Sequence, residues 1–277
     1  MSIIHLGDFA NTISVYLIDD KKLALVDPGV YAITDEVLDA IKAKGFNTKD
    51  IDYILLTHLH IDHAGNAWAL LKYMPNTKIV IHHKAIRYLV DPEPLVASSR
   101  QVLGKIIDRW GKLEPIPEEK FIGVDDNHTL DDLRFIATPG HAPFHMSIML
   151  DDELFTGDAV GIRYKDRWRP ASPLPSFRYD LALKSLEKIK ELNAKRLYMP
   201  HFGIANDANN TIEENIILYK KWAEIIEEAV NNNLDEEEIL DIINKEFKYD
   251  PLLADEYTRT LLLSDLRGFI NYYKKKR

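Results

Sequence analysis

An α/β fold with a helical tail follows from three observations. Short apolar runs recur along residues 14–200, and several of them stop at a His or an Asp. Stretches with helical spacing lie between those runs, and residues 211–277 are almost wholly helical in pattern. In order, residues 14–18 and 22–26 predict a strand pair joined by Asp19-Asp20. Residues 34–44 carry Val37, Leu38 and Ile41 on one face and predict a helix ending near Gly45. Ile54-Leu55-Leu56 reads as the end of a buried strand, residues 66–73 as a helix, and Ile79-Val80-Ile81 as a strand with His82 and His83 at its end. Residues 96–113 predict a helix bearing Val102, Leu103, Ile106, Ile107 and Trp110, and residues 180–192 another, with Leu183, Leu186 and Ile189 spaced by threes. The tail predicts helices over 211–231, 235–246 and 255–275, broken at Asn231-Asn232-Asn233 and Tyr249-Asp250-Pro251; Asp235 with Glu238 three residues on has the form of a capping box. No internal repeat or low-complexity segment is present.

The chemistry concentrates in Thr57-His58-Leu59-His60-Ile61-Asp62-His63-Ala64-Gly65-Asn66, where three imidazoles and a carboxylate follow a strand directly. Loops carried on a rigid sheet are where functional side chains gather. His58 and His60 are placed to aim at one ion, and Asp62 and His63 at a second beside it. Three more apolar runs end in ligand types: Thr138-Pro139-Gly140-His141, Leu154-Phe155-Thr156-Gly157-Asp158 and Leu197-Tyr198-Met199-Pro200-His201. A lone His after a strand is more often a solvated loop residue than a ligand, so the weight rests on the set. His5 and His128 match nothing in it.

At these residues the chain resembles the metallo-β-lactamase superfamily, whose H-x-H-x-D-H motif is followed by a lone His, a lone Asp and a final His, each after a strand. The resemblance covers about residues 3 to 205. It implies an αββα sandwich, two mixed sheets face to face with helices outside, followed here by a C-terminal helical extension; the division expected is a catalytic domain over 1–210 and an extension over 211–277. It also implies the ligand set: His58, His60 and His141 for the first metal, Asp62, His63 and His201 for the second, and Asp158 bridging them. Asp62 and Asp158 are thereby the carboxylates at the reacting centre. Asp27, in Leu25-Val26-Asp27-Pro28-Gly29, matches a family position that orients a ligand loop, although Asp-Pro-Gly is also an ordinary turn. His145 occurs in glyoxalase II-like members without being a ligand.

Imidazole and carboxylate donors suit zinc first, with iron or manganese as alternatives, and fit Mg²⁺ poorly. Two such ions lower the pKa of a shared water from 15.7 to about 7. The expected function is therefore a metal-dependent hydrolase using a metal-bridging hydroxide on a small-molecule ester, thioester or lactone. A phosphodiesterase or nuclease of the same superfamily, and a non-catalytic metal-binding protein on the same fold, stay open. With no Cys, thiol nucleophiles, thiolate ligands and disulfides are excluded together. A net charge of −9 disfavours a nucleic-acid surface, and the basic Lys274-Lys275-Lys276-Arg277 reads as a solvated helix end. No apolar run is long enough for a membrane span and no export signal opens the chain, so a cytoplasmic location is expected, with a small molecule as partner.

Three stretches are expected to shape a substrate pocket. Residues 84–117 exceed a simple connection and would cap the cleft. Residues 161–179 read as a long irregular loop whose Arg163, Arg167 and Arg169 would favour an anionic group. The tail lacks the basic and aromatic pattern suited to a glutathione thioester, and serves equally as a packing or homodimerisation element.

Overall fold

The structure, a computed structural model, describes residues 1–10, 12–164 and 167–276. Its contacts divide into two compact units: Met1–Ala137, Phe144–Gly157 and Lys195–Asn206 form one, and Thr138–Pro143, Asp158–Ala194 and Asp207–Arg277 the other.

The first unit is a sandwich of two six-stranded sheets. One sheet runs in chain order: β1 (Ser2–Phe9), β2 (Ile13–Asp19), β3 (Leu23–Val26), β4 (Tyr53–Leu55), β5 (Lys78–His82) and β6 (Phe121–Val124). Its first two pairings are antiparallel and the last three parallel. The other sheet has the order β14 (Gly203–Ala205), β13 (Arg196–Met199), β10 (Glu153–Phe155), β9 (Met146–Leu150), β8 (Leu133–Ala137), β7 (His128–Leu130). All of its pairings are antiparallel except β10 with β13.

Side-chain alternation fixes the register between sheets. Tyr16, Ile18, Ala24, Val26, Leu55 and Val80 face Phe135, Met146, Ile148, Phe155 and Tyr198 in one core. The intervening Val15, Leu17, Leu25, Ile54, Ile79 and Ile81 are fully buried on the opposite face of the first sheet. A strand buried on both faces reads as a continuous apolar run rather than an alternating one, which is why 14–18 and 54–56 were legible. α1 (Thr34–Ala43) buries the predicted Val37, Leu38 and Ile41. Among the described residues this unit also holds three single-turn helices, α2 (Ile61–Ala64), α3 (Ala67–Leu70) and α4 (Arg87–Val90), and the longer α5 (Glu93–Leu103).

Two expectations change here. Residues 66–73 hold only the single turn of α3, because the preceding loop occupies the residues up to Asn66 and the chain turns again toward β5. The helix expected over 96–113 begins earlier, at Glu93, and stops at Leu103; Gly104 takes φ +58, and a 3₁₀ segment follows to Arg109.

The second unit contains α6 (Tyr179–Glu191), α7 (Ala208–Asn231), α8 (Glu236–Phe247), α9 (Asp250–Leu253) and α10 (Glu256–Lys276), together with a hairpin of β11 (Ile162–Tyr164) and β12 (Arg167–Arg169). Residues 161–179 are therefore partly regular; Lys165 and Asp166 of that stretch, and Arg277 of the basic end, lie outside the described residues. Trp222 packs among Phe247, Tyr249 and Phe269, so the tail has an aromatic core of its own. The Asp235 and Glu238 capping box is formed in full. Pro251, expected as a break, instead sits in the first turn of α9, where its missing N–H costs nothing. No helix among the described residues is long and apolar enough to cross a membrane.

Phe135 is fully buried between the sheets. Phe135→Ala is expected to lower stability by about 3–5 kcal/mol in a urea titration, the cost of a large aromatic removed from a sandwich core.

Candidate metal centre

The parallel run β3, β4, β5 brings three chain segments to one sheet edge, at the carboxyl ends where α/β sheets carry their sites. Asp27 follows β3, the segment from Thr57 to His63 follows β4, and His82 closes β5. Asp27 is buried and adopts φ +42, a conformation that a non-glycine residue holds only when its surroundings enforce it. What enforces it is a set of three hydrogen bonds. Its carboxylate accepts from the Thr57 amide at 2.8 Å, from the Thr57 hydroxyl at 2.6 Å and from His63 Nδ1 at 3.0 Å.

These contacts assign tautomers. A carboxylate only accepts, so His63 Nδ1 carries the proton and its Nε2 presents a lone pair. Thr57 Oγ1 gives its hydrogen to Asp27 and therefore accepts from His58 Nδ1, 3.0 Å away, leaving His58 Nε2 as the lone-pair nitrogen. That Nε2 lies 3.0 Å from His60 Nδ1. Two nitrogens on one tetrahedral zinc sit about 3.3 Å apart, so this pair already has a chelating separation.

Behind His201, the Thr12 carbonyl accepts from Nδ1 at 3.1 Å. The ring is held further by β2: the Ser14 amide donates to the Pro200 carbonyl at 2.7 Å, and the Tyr16 hydroxyl to the Met199 carbonyl at 2.7 Å. The ligand atoms of Asp62, His63 and His201 all lie within 4.8 Å of one another. Asp62 Oδ2 is 3.9 Å from His63 Nε2 and 3.6 Å from His201 Nε2.

In the second unit, His141 Nδ1 donates to the Ala171 carbonyl at 3.0 Å, and its Nε2 stands 3.3 Å from Asp158 Oδ2. With Nδ1 protonated and Nε2 bare, the ring and the carboxylate turn lone pairs toward each other, an arrangement that suits a shared cation. Both side chains are buried. The donor sets therefore fit a divalent metal: neutral imidazoles oriented from behind, with carboxylates alongside.

His145 is buried, with its ring 4.9 Å from that of His58, and it belongs to none of the candidate ligand groups. His82, His83 and Asp125 form a further cluster. His82 Nδ1 accepts from the Lys84 amide at 3.1 Å, which puts its proton on Nε2, while His83 Nδ1 meets Asp125 at 2.8 Å. Burial and the neighbouring His83 pull the His82 pKa down, and its Nε2 stands 3.8 Å from Asp125 Oδ1, beyond hydrogen-bond reach. This cluster is a strand-end hydrogen-bond network. Arg169, expected to favour an anionic substrate group, is instead buried in an ion pair with Asp265.

A family model for the metallo-β-lactamase superfamily matches residues 9–201. The chain belongs to that superfamily. A metallo-β-lactamase fold-containing protein of Sulfurisphaera tokodaii is 34% identical over 209 residues, 72% of this chain and 76% of that protein. The crystal structure of an archaeal superfamily member from Sulfolobus tokodaii matches with a TM-score of 0.71 at 27% identity and covers 97% of both chains. An N-acyl homoserine lactonase of Bacillus cereus is 30% identical over 179 residues, 61% of this chain and 62% of that enzyme. The fold is accordingly the superfamily's αββα sandwich with a C-terminal helical region.

The sequence pattern held no sign of the two carbonyls that anchor His201 and His141, since any residue supplies a carbonyl. Thr57 was better marked, by its place directly before His58.

Replacing Asp27 removes the acceptor behind His63 and the anchor of Thr57. Asp27→Ala is expected to weaken binding of one metal equivalent by about 10–100-fold in a chelator competition, the range found for lost outer-sphere partners, with far-UV circular dichroism showing whether the sandwich persists.

Proposed function

We propose that the chain is a metal-dependent hydrolase acting on a small-molecule ester, thioester or lactone. The observation that carries the reading is the common arrangement behind the imidazoles: His58, His63, His141 and His201 each have Nδ1 engaged by an acceptor oxygen, so each offers Nε2. In this reading His58, His60 and His141 would hold one ion and Asp62, His63 and His201 a second, with Asp158 a further carboxylate ligand. Bound there, divalent ions would supply an activated water and a charge to polarise the scissile carbonyl; zinc suits these donors first, iron or manganese next.

The chain's own residues do the rest. Asp27 and the Thr12 and Ala171 carbonyls hold ring orientation, so no reorganisation is needed when charge develops on the substrate. Asp62, partly exposed, is the ligand-type carboxylate nearest to solvent. Next to the buried His145, Phe144 lies 5.3 Å from the His82 ring and 6.4 Å from Tyr88. These rings are only partly buried and give a substrate an apolar face. That favours a lactone or ester with a hydrocarbon portion over a phosphodiester, as does the net charge of −9. The lactonase activity named for the Bacillus cereus relative points to the same class. A small soluble substrate, a cytoplasmic location and no nucleic-acid partner complete the proposal.

Metal content per chain, measured by elemental analysis alongside a panel of a lactone, a thioester, a carboxylic ester and a phosphodiester, tests it. Near two ions with turnover on a carboxyl substrate is the expected result; turnover on the phosphodiester alone would move the chain to the phosphodiesterase branch, and no metal with no turnover would make it a binding protein. Asp158→Ala is expected to lose both metal and turnover. His145→Ala is expected to keep both equivalents of metal, and loss of one would make His145 a ligand.

A further inference from the structure

Resting on the metal reading above, we infer that the C-terminal helices are the positioning device for the metal ligand His141, acting through the backbone of residues 168–172. The path is continuous and lies within one compact unit. His141 Nδ1 donates to the Ala171 carbonyl at 3.0 Å. The amide of the same residue donates to the Tyr219 hydroxyl of α7 at 2.9 Å. One residue on, the Ser172 amide donates to Asp265 Oδ1 of α10 at 2.7 Å, and the Ser172 hydroxyl to the Asp265 carbonyl at 3.0 Å. The other carboxylate oxygen of Asp265 pairs with Arg169, and the Tyr249 hydroxyl donates to the Trp168 carbonyl. Helices far along the chain thus pin this five-residue segment at four of its residues.

The packing shows that the contact is close by construction. Gly268, one turn after Asp265, lies against the Ser172 carbonyl, and a Cβ there would collide with it. Glycine is a poor helix former, a penalty that this backbone approach explains. Tyr219 is fully enclosed, and burial pushes its phenol pKa well up, so the hydroxyl stays neutral throughout the working range. Arg169 is buried too, and its charge is met by Asp265.

The consequence is a division of labour among the anchors. His63 and His201 are oriented by Asp27 and Thr12, both in the sandwich unit, whereas His141 is oriented by a carbonyl that the tail holds in place. The tail therefore serves the metal centre directly, a role separate from substrate binding or dimerisation.

Tyr219→Phe and Asp265→Asn in the full-length chain test this with Zn²⁺ competition against a chromogenic chelator and the visible spectrum of the Co²⁺-loaded protein. The expected result is loss of affinity of about 10-fold or more for one of the two equivalents, with an altered Co²⁺ spectrum, while the other equivalent stays at wild-type affinity. Tyr219→Phe deletes one hydroxyl and decides the matter if Asp265→Asn, which strips the charge facing buried Arg169, fails to fold. Wild-type affinity at both equivalents with an unmoved spectrum, even alongside a lowered melting temperature, would overturn the inference and leave the metal reading standing. A wild-type chain that takes up neither Zn²⁺ nor Co²⁺ would overturn both.

Discussion

The constraint on which the site depends is the placement of one proton on each imidazole. A histidine presents a lone pair in a fixed direction only if its other nitrogen is held by an acceptor. This fold places an acceptor behind ring after ring: a hydroxyl for His58, a carboxylate for His63 and carbonyls for His141 and His201. The Asp27 carboxylate is the hub among them. A buried carboxyl would be costly without partners, and the three hydrogen bonds it accepts offset that cost while fixing the start of the His-rich segment.

That requirement shapes the fold around it. Asp27 reaches Thr57 because β3 and β4 are parallel neighbours, with Val26 opposite Leu55, so both loops leave the sheet at the same edge. The left-handed backbone of Asp27 turns its carboxylate back toward the partner loop. The core of Tyr16, Phe135, Phe155 and Tyr198 keeps the two sheets in register, and through them the chain segments that end in ligands. Tyr16 has a double part, since its ring packs in that core while its hydroxyl holds the Met199 carbonyl two residues before His201.

How much of this was legible depended on whether a feature lives in residue type or in backbone position. Strands buried on both faces announce themselves as apolar runs, and the His and Asp residues that follow them are rare types in a telling order. The capping box of Asp235 and Glu238 was legible because both halves are side chains at fixed spacing. β1 was not anticipated: its residues are mostly half-exposed, so its sequence lacks a clean buried stripe. The hairpin of β11 and β12 was read as irregular because three-residue strands rich in arginine give no period to detect. Arg169 shows the limit most plainly, since its residue type suggested an anion to bind and its actual anion is Asp265, nearly a hundred positions away.

Anchors drawn from Thr12, Asp27 and Ala171 also tie metal affinity to the order of the whole chain. Each lies far in sequence from the ring it orients, so none of these contacts exists in an unfolded chain, and a site of this kind forms only as the fold forms. Any ion that binds the assembled donors and not the unfolded chain adds to stability, by about 2.7 kcal/mol at a free concentration a hundred times its dissociation constant. The same linkage runs backward: loosening α7 or α10 moves the Ala171 carbonyl, and with it the direction of the His141 lone pair. Stability of the helical tail and orientation of the His141 ring are then two readings of one set of hydrogen bonds, which gives the chain a physical reason to retain its tail.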